Sequence, residues 1–179
     1  MGGTTFHEAS IAILINGTTS LLAILKKASE HPESATFPSA RLIDDMWPLT
    51  NQVHYALAMA GKAVRYVCGL EVKLVEREDV QTIAEMIAQC EKTLDLLKSV
   101  DPKTIEGTED EMINPLIRVD PPLYLAMTKR EMISGYTLPN FFFHVNTAYA
   151  ILRMKGVPIG KMDYVTPFMT AINARRNAS

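Results

Sequence analysis

Apolar positions recur at helical spacing in several separate stretches of this chain. Ile11, Leu14, Ile15, Leu21, Leu22 and Leu25 fall on one stripe, the spacing of a helix that buries one face. Thr5-Phe6-His7-Glu8 has the Thr-x-x-Glu form of a capping box and announces this helix, which should stop at His31-Pro32. A second stripe, Leu49, Val53, Ala56, Leu57, Ala60, Val64 and Val67, predicts a helix from about Pro48 to a C-terminal cap at Gly69. Asp44 and Asp45 lie just upstream, where negative charge favours the helix dipole. A third helix, from about Asp79 to Val100, carries Val80, Ile83, Ile87, Cys90, Leu94 and Leu97 and ends at Asp101-Pro102. Three amphipathic helices of about 20 residues must pack on one another or on a fourth.

From Lys103 to Met127 the helical period is lost. Ile113 to Val119 and Leu123 to Met127, separated by Asp120-Pro121-Pro122, predict two short strands or extended pieces around a proline turn. Phe141 to Lys155 then forms a helix that is apolar over most of its circumference, so it belongs at the centre of a bundle or at a subunit contact. Glu33 to Ser39 is a loop across the bundle end, and the chain is left as a flexible tail from about residue 166. The expected fold is all-α: one four-helix-bundle domain over residues 1–179, with a short extended or hairpin insertion before the last helix.

At 179 residues the chain can remove roughly 70% of its unfolded surface from water, so it folds without a disulfide or metal staple. Its 18 basic and 20 acidic residues give a net charge of -2, and its one short basic cluster is Arg175-Arg176, which argues against nucleic acid as a partner. Cys68 and Cys90 fit no zinc or redox spacing and act as small apolar residues. The apolar run near Ile11 to Ile15 is far shorter than the ~20 residues of a membrane span. MGGTTFHEAS lacks a basic region followed by an apolar core, and Phe6 stands where a myristoylation signal wants Ser or Thr. A soluble, cytoplasmic protein without membrane attachment is expected.

Two segments carry a family likeness. Ala40 to Leu49 (ARLIDDMWPL) with Gln52-Val53, and Leu138 to Arg153 (LPNFFFHVNTAYAILR) with Gly156 to Lys161 (GVPIGK), resemble a branch of the DinB-like superfamily of unknown function. The resemblance implies an antiparallel four-helix bundle, often a homodimer. In other branches it implies a divalent metal held by three histidines, one on the second helix and a His-x-x-x-His pair on the fourth. Those positions fall near His54, at Asn140 and at His144, so this sequence departs from the pattern at Asn140. Asn140 and His144 still share a helix face, but an amide oxygen is a poor ligand beside imidazole. No cofactor is expected beyond a weakly bound divalent metal.

His144 and His54 are the candidate catalytic residues. His144 lies in a Phe-rich segment where burial keeps imidazole neutral, able to exchange a proton with a weak carbon acid or a phenol. Asn140 and Gln52 can hydrogen-bond a carbonyl oxygen. Trp47 and Tyr149 can wall a pocket for an aromatic ligand. Asp45 is a further binding candidate, and Arg41 can pair with it or with Asp44. The expected activity is cofactor-independent acid-base chemistry on an apolar, aromatic or enolisable small molecule, of isomerase, dehydratase or cyclase type. The alternatives are a weak divalent-metal hydrolase or thiol-dependent transferase, and a non-catalytic dimeric ligand-binding protein. Specialised metabolism suits the first.

Overall fold

The structure, a computed structural model, describes residues 3–177, and their side chains apart from 171, 172 and 174–177, so Gly2 and the Arg175 and Arg176 side chains lie outside the description. Four long helices enclose the core: α1 (Ile11–Ser29), α2 (Leu49–Val67), α3 (Ile83–Lys98) and, after the one-turn α4 (Lys129–Glu131), α5 (Leu138–Met154). Around the bundle α1 packs on α3 and α5, and α2 packs on the same two from the opposite corner. His144 meets Gln52 while Tyr136 meets Lys62, so α2 and α5 run antiparallel. Gly17 abuts Phe141 and Gly156 abuts His31, so α1 and α5 run parallel. Ser29, Thr50 and Ile83 border one recess at the bundle end, which makes α2 and α3 parallel to each other.

Parallel neighbours force a long return. Residues 69–82 leave α2 at Gly69, whose φ of +69° suits glycine, and travel back along that helix. Val72 accepts a hydrogen bond from Arg65, Leu74 packs against Gly61, and Glu76 and Arg77 arrive beside His54. Thr82 and Glu85 then form a reciprocal capping box that starts α3.

The N-terminal capping box forms, with Thr5 and Glu8 bonded both ways, but it caps a separate turn. Ser10, at φ −132° and ψ −86°, breaks the helical path, so α1 starts at Ile11 rather than at Thr5. The turn is held by the Glu106 carboxylate, which accepts from the Phe6 and His7 amides. Nor do Asp44 and Asp45 cap α2: the Leu49 and Thr50 amides donate to the Ala40 and Pro38 carbonyls instead. Arg41 donates to the Met46 carbonyl and makes no ion pair with either aspartate.

The extended insertion is an irregular hairpin. β1 (Met112–Ile113) pairs antiparallel with β4 (Met127–Thr128), and β2 (Leu116–Arg118) with β3 (Leu123–Tyr124), around a cis Asp120-Pro121 bond. From Lys129 the chain is helical through to Met154, with a π-helical segment at Met132–Thr137. Pro139 explains that segment: its ring would crowd the carbonyl four residues back in an α-helix, and a wider turn removes the clash. The helix therefore continues upstream of the Phe141 start that the apolar pattern suggests. Beyond it, α6 (Lys161–Asn177) occupies the stretch that the polar pattern leaves as a tail. Its first turns dock on α1 and α5 through Ser20 donating to the Tyr164 carbonyl, Lys27 paired with Asp163 at 2.6 Å, and Phe168 against Phe142.

Among the described residues, α1 alone is long and apolar enough to cross a bilayer by length and composition, although no single unbroken apolar run in it is long; 50% of that window is buried in the bundle. Gly17, inside α1, sets the approach of α5. A Cβ there would lie 2.4 Å from Phe141 Cε1, and Phe141 is fully buried. Gly17→Ala should therefore lower unfolding free energy by about 1–2 kcal/mol, the overpacking strain exceeding the gain in helix propensity. Urea denaturation followed by circular dichroism measures it, and a stabilised variant would contradict this packing.

Candidate functional site

The face between α2 and α5 gathers most of the candidate residues. His144 is 8% exposed and Gln52 2% exposed, and His144 Nδ1 lies 2.8 Å from Gln52 Oε1. The Gln52 amide nitrogen donates to the Trp47 carbonyl at 3.0 Å. A backbone carbonyl only accepts, so the amide group must be turned with its nitrogen toward Trp47 and its oxygen toward the imidazole. His144 therefore carries its proton on Nδ1 and presents Nε2 as a lone pair, with no hydrogen-bond partner among the described residues. Burial, reinforced by the nearby His54, pulls its pKa down from the ordinary 6.5 to about 4. Gln52, a sequence candidate for contact with a substrate carbonyl, instead fixes the tautomer of His144.

Aromatic rings frame that imidazole. Tyr55 stacks on it with centroids 5.3 Å apart, Trp47 stacks on Tyr55 at 4.6 Å, and Trp47 lies 6.4 Å from His144 with planes 11° apart. Phe143 meets the ring edge-on at 5.2 Å. Trp47 and Phe143 are 49% and 57% exposed, so the cluster opens to solvent through two large apolar side chains. Neither Tyr55 nor Phe143 stands out in the sequence, because one follows His54 off the apolar stripe and the other is one of three consecutive phenylalanines.

His54 lies on the other side of Tyr55, 4.8 Å between centroids and edge-on. Its pKa is also lowered, first by burial and then by Arg77, against the opposing pull of Glu76. Its Nδ1 is buried without a partner. Asn140 donates its amide nitrogen to the Tyr136 carbonyl at 2.6 Å, which commits that donor to the π segment. No cluster of three or more His, Cys, Asp or Glu able to hold a metal ion occurs among the described residues. Two imidazoles and one neutral amide oxygen are a weak donor set for a metal ion.

Three further groups fall away from this cluster. Tyr149, five residues beyond His144, points to another side of α5 and packs against Tyr164 of α6. Asp45 is exposed in the loop before α2, with no hydrogen bond or ion pair to the histidine cluster. Neither cysteine supplies a thiolate at neutral pH: burial pushes Cys68 up to about 11, and Cys90 is raised further. A recess of about 710 Å³ between Ser29, Arg41, Thr50 and Thr82 is at the bundle end and does not include His144. The candidate site is distinguished by its chemistry, a buried neutral imidazole beside the partly exposed Trp47 and Phe143 rings.

The profile of a family described as a domain of unknown function (DUF1993) matches residues 6–165, a span that includes every residue of this cluster. The chain belongs to the DUF1993 family. A crystal structure of a DinB family member protein from Shewanella denitrificans is similar at 25% identity with a TM-score of 0.72, over 89% of this chain and 90% of that one. The DUF1993 chain is thus a DinB-like helical bundle. No curated protein matches it.

The depressed His144 pKa links the site to stability. Between about pH 4 and pH 6.5 the unfolded chain binds a proton that the folded protein refuses, so stability rises with pH across that window and is lost as pH falls through it. Gln52→Glu should raise the His144 pKa by about 1–3 pH units, because a carboxylate favours the imidazolium it faces. Imidazole NMR titration of the two proteins reads this directly; an unchanged pKa would mean that residue 52 does not face Nδ1.

Proposed function

We propose that this DUF1993 protein is an enzyme that works without an organic cofactor on a small, largely apolar, aromatic or enolisable compound, with His144 exchanging the proton. The observation that carries this is the Trp47 carbonyl, Gln52 and His144 chain, which spends a buried amide on fixing which imidazole nitrogen is bare. A merely structural histidine needs a partner, but it does not need its free lone pair framed by an exposed aromatic wall.

The weak basicity of that nitrogen limits the chemistry. A conjugate acid near pKa 4 releases its proton readily, which suits returning it to another atom of the same substrate, as isomerisation, dehydration and cyclisation require. Trp47, Tyr55 and Phe143 hold the apolar body of the compound against the ring and thin the water around Nε2. His54, neutral beside Tyr55, is the second proton carrier of the proposal. The proposed setting is a cytoplasmic homodimer.

Turnover should be measured on a panel of polycyclic and enolisable ketones with protein purified without a histidine tag and stripped of metal. His144→Ala should lower kcat at least about 100-fold with the helical circular dichroism unchanged. The wild-type kcat/KM should be flat above about pH 5 and fall as His144 of the free protein protonates near pH 4. A fully active His144→Ala protein, or activity that returns only with added divalent metal, would overturn the proposal.

A further inference from the structure

Two cations on α2 have no anion. Lys62 and Arg65 are the charged side chains of that helix, stand three residues apart on one face, and make no ion pair among the described residues. The Lys62 ammonium donates to the Leu116 carbonyl at 3.2 Å and lies 5.9 Å from the Tyr136 ring centroid. An ammonium carries three donors, so that single bond leaves capacity for a ligand. Arg65 gives one N–H to the Val72 carbonyl, and its Nε is buried without a partner. Both side chains are half-buried, and burial together with Arg65 lowers the Lys62 pKa. Like charges withdrawn from water are costly unless an anion answers them.

The position of the pair relates it to the histidines. His54 and Lys62 are eight residues apart, which puts them on the same side of α2, roughly 12 Å apart along its axis. Across from them, Asn140 and His144 share one face of α5, and Tyr136 precedes them in the π segment with its hydroxyl donating to the Ile117 carbonyl. One end of this strip is aromatic, with both a carboxylate and a guanidinium, Glu76 and Arg77, near His54, and the other carries two cations with no paired anion among the described residues.

We propose that Lys62 and Arg65 form the anion-binding end of the same site, so that the compound handled at His144 is an aromatic or polycyclic carboxylate or phenolate lying along α2. The identity of the apolar end rests on the function proposed above; the cationic end stands on its own contacts. The ring body lies toward Tyr55 and Trp47, and the anionic oxygen takes the free Lys62 and Arg65 donors. Charge-assisted bonds of this kind discriminate strongly against a neutral analogue of the same shape.

The test is calorimetric binding of 2-naphthoate and of its neutral counterpart 2-naphthamide. Wild-type protein should prefer the carboxylate by at least about tenfold, and about 0.5 M salt should reduce that preference. Lys62→Met and Arg65→Met should each erode it, and Lys62→Arg should restore it, with folding checked by circular dichroism. Equal affinities in the wild type, no binding of either compound at millimolar concentration, or a preference that survives both methionine variants would overturn the proposal. Should a methionine variant fail to fold, the wild-type pair of ligands and its salt dependence still decide. His144→Ala separates the two ideas. A His144-dependent reaction without anion preference leaves acid-base chemistry standing and removes the anion end, while an anion preference with no His144-dependent reaction does the reverse.

Discussion

An imidazole buried at a helix interface must have its ring N–H accepted, and here the acceptor is an amide that is itself pinned by backbone. Gln52 reaches across from α2 to α5, and its orientation is dictated by the Trp47 carbonyl at the start of its own helix. Much follows from that bridge. It keeps α2 and α5 in one register, fixes the bare nitrogen of His144, and anchors the loop end that carries Trp47 against Tyr55. Because amide and imidazole are both neutral, the bridge avoids the desolvation cost of a buried ion pair at this position.

The second constraint is topological. With α2 and α3 parallel, the connection between them has to run the length of the bundle, and it does so beside α2 as an irregular stretch that ends in a 3-10 turn at Arg77–Val80. That route supplies the groups around His54 and gives Arg65 its carbonyl. On the other flank the irregular hairpin brings the Leu116 carbonyl to Lys62 and the Leu116 amide to the Tyr66 hydroxyl. The polar face of α2 is therefore bordered by two non-helical segments, and the chemistry of the molecule collects between them.

The bundle was legible in the chain because three-and-four spacing directly encodes which side of a helix is buried. Leu49, Val53, Ala56, Leu57, Ala60, Val64 and Val67 are all core residues, and the family segments LPNFFFH and TAYAILR fall on the helix that carries His144. The site was legible only in part. His144, Gln52 and Trp47 come together, but the role of Gln52 depended on the direction of a carbonyl that no spacing reveals. Tyr149 falls outside the cluster because it lies on another side of α5, against Tyr164 of α6, and α6 escapes the sequence pattern because that pattern is scarcely amphipathic and Pro167 lies inside it. No sequence pattern singles out Lys62 and Arg65; only the chain paths that border α2 show them to be half-buried, with no ion pair among the described residues.

The π segment before α5 has a wider meaning for how such a bundle can vary. A π turn holds one residue more than an α turn, so everything after it is rotated by about 100° relative to an uninterrupted helix. Upstream of it, Lys129 pairs with Glu111, and Arg130 pairs with Glu109 and Asp110, at the base of the hairpin. Downstream, His144 is turned toward Gln52. The wide turn thus works as a phase adjuster: the part of the helix that anchors the hairpin and the part that carries the imidazole each keep their own angular setting. Related bundles that gain or lose one residue here would present a different side of the last core helix to the same partner, while every contact before the turn stays as it was.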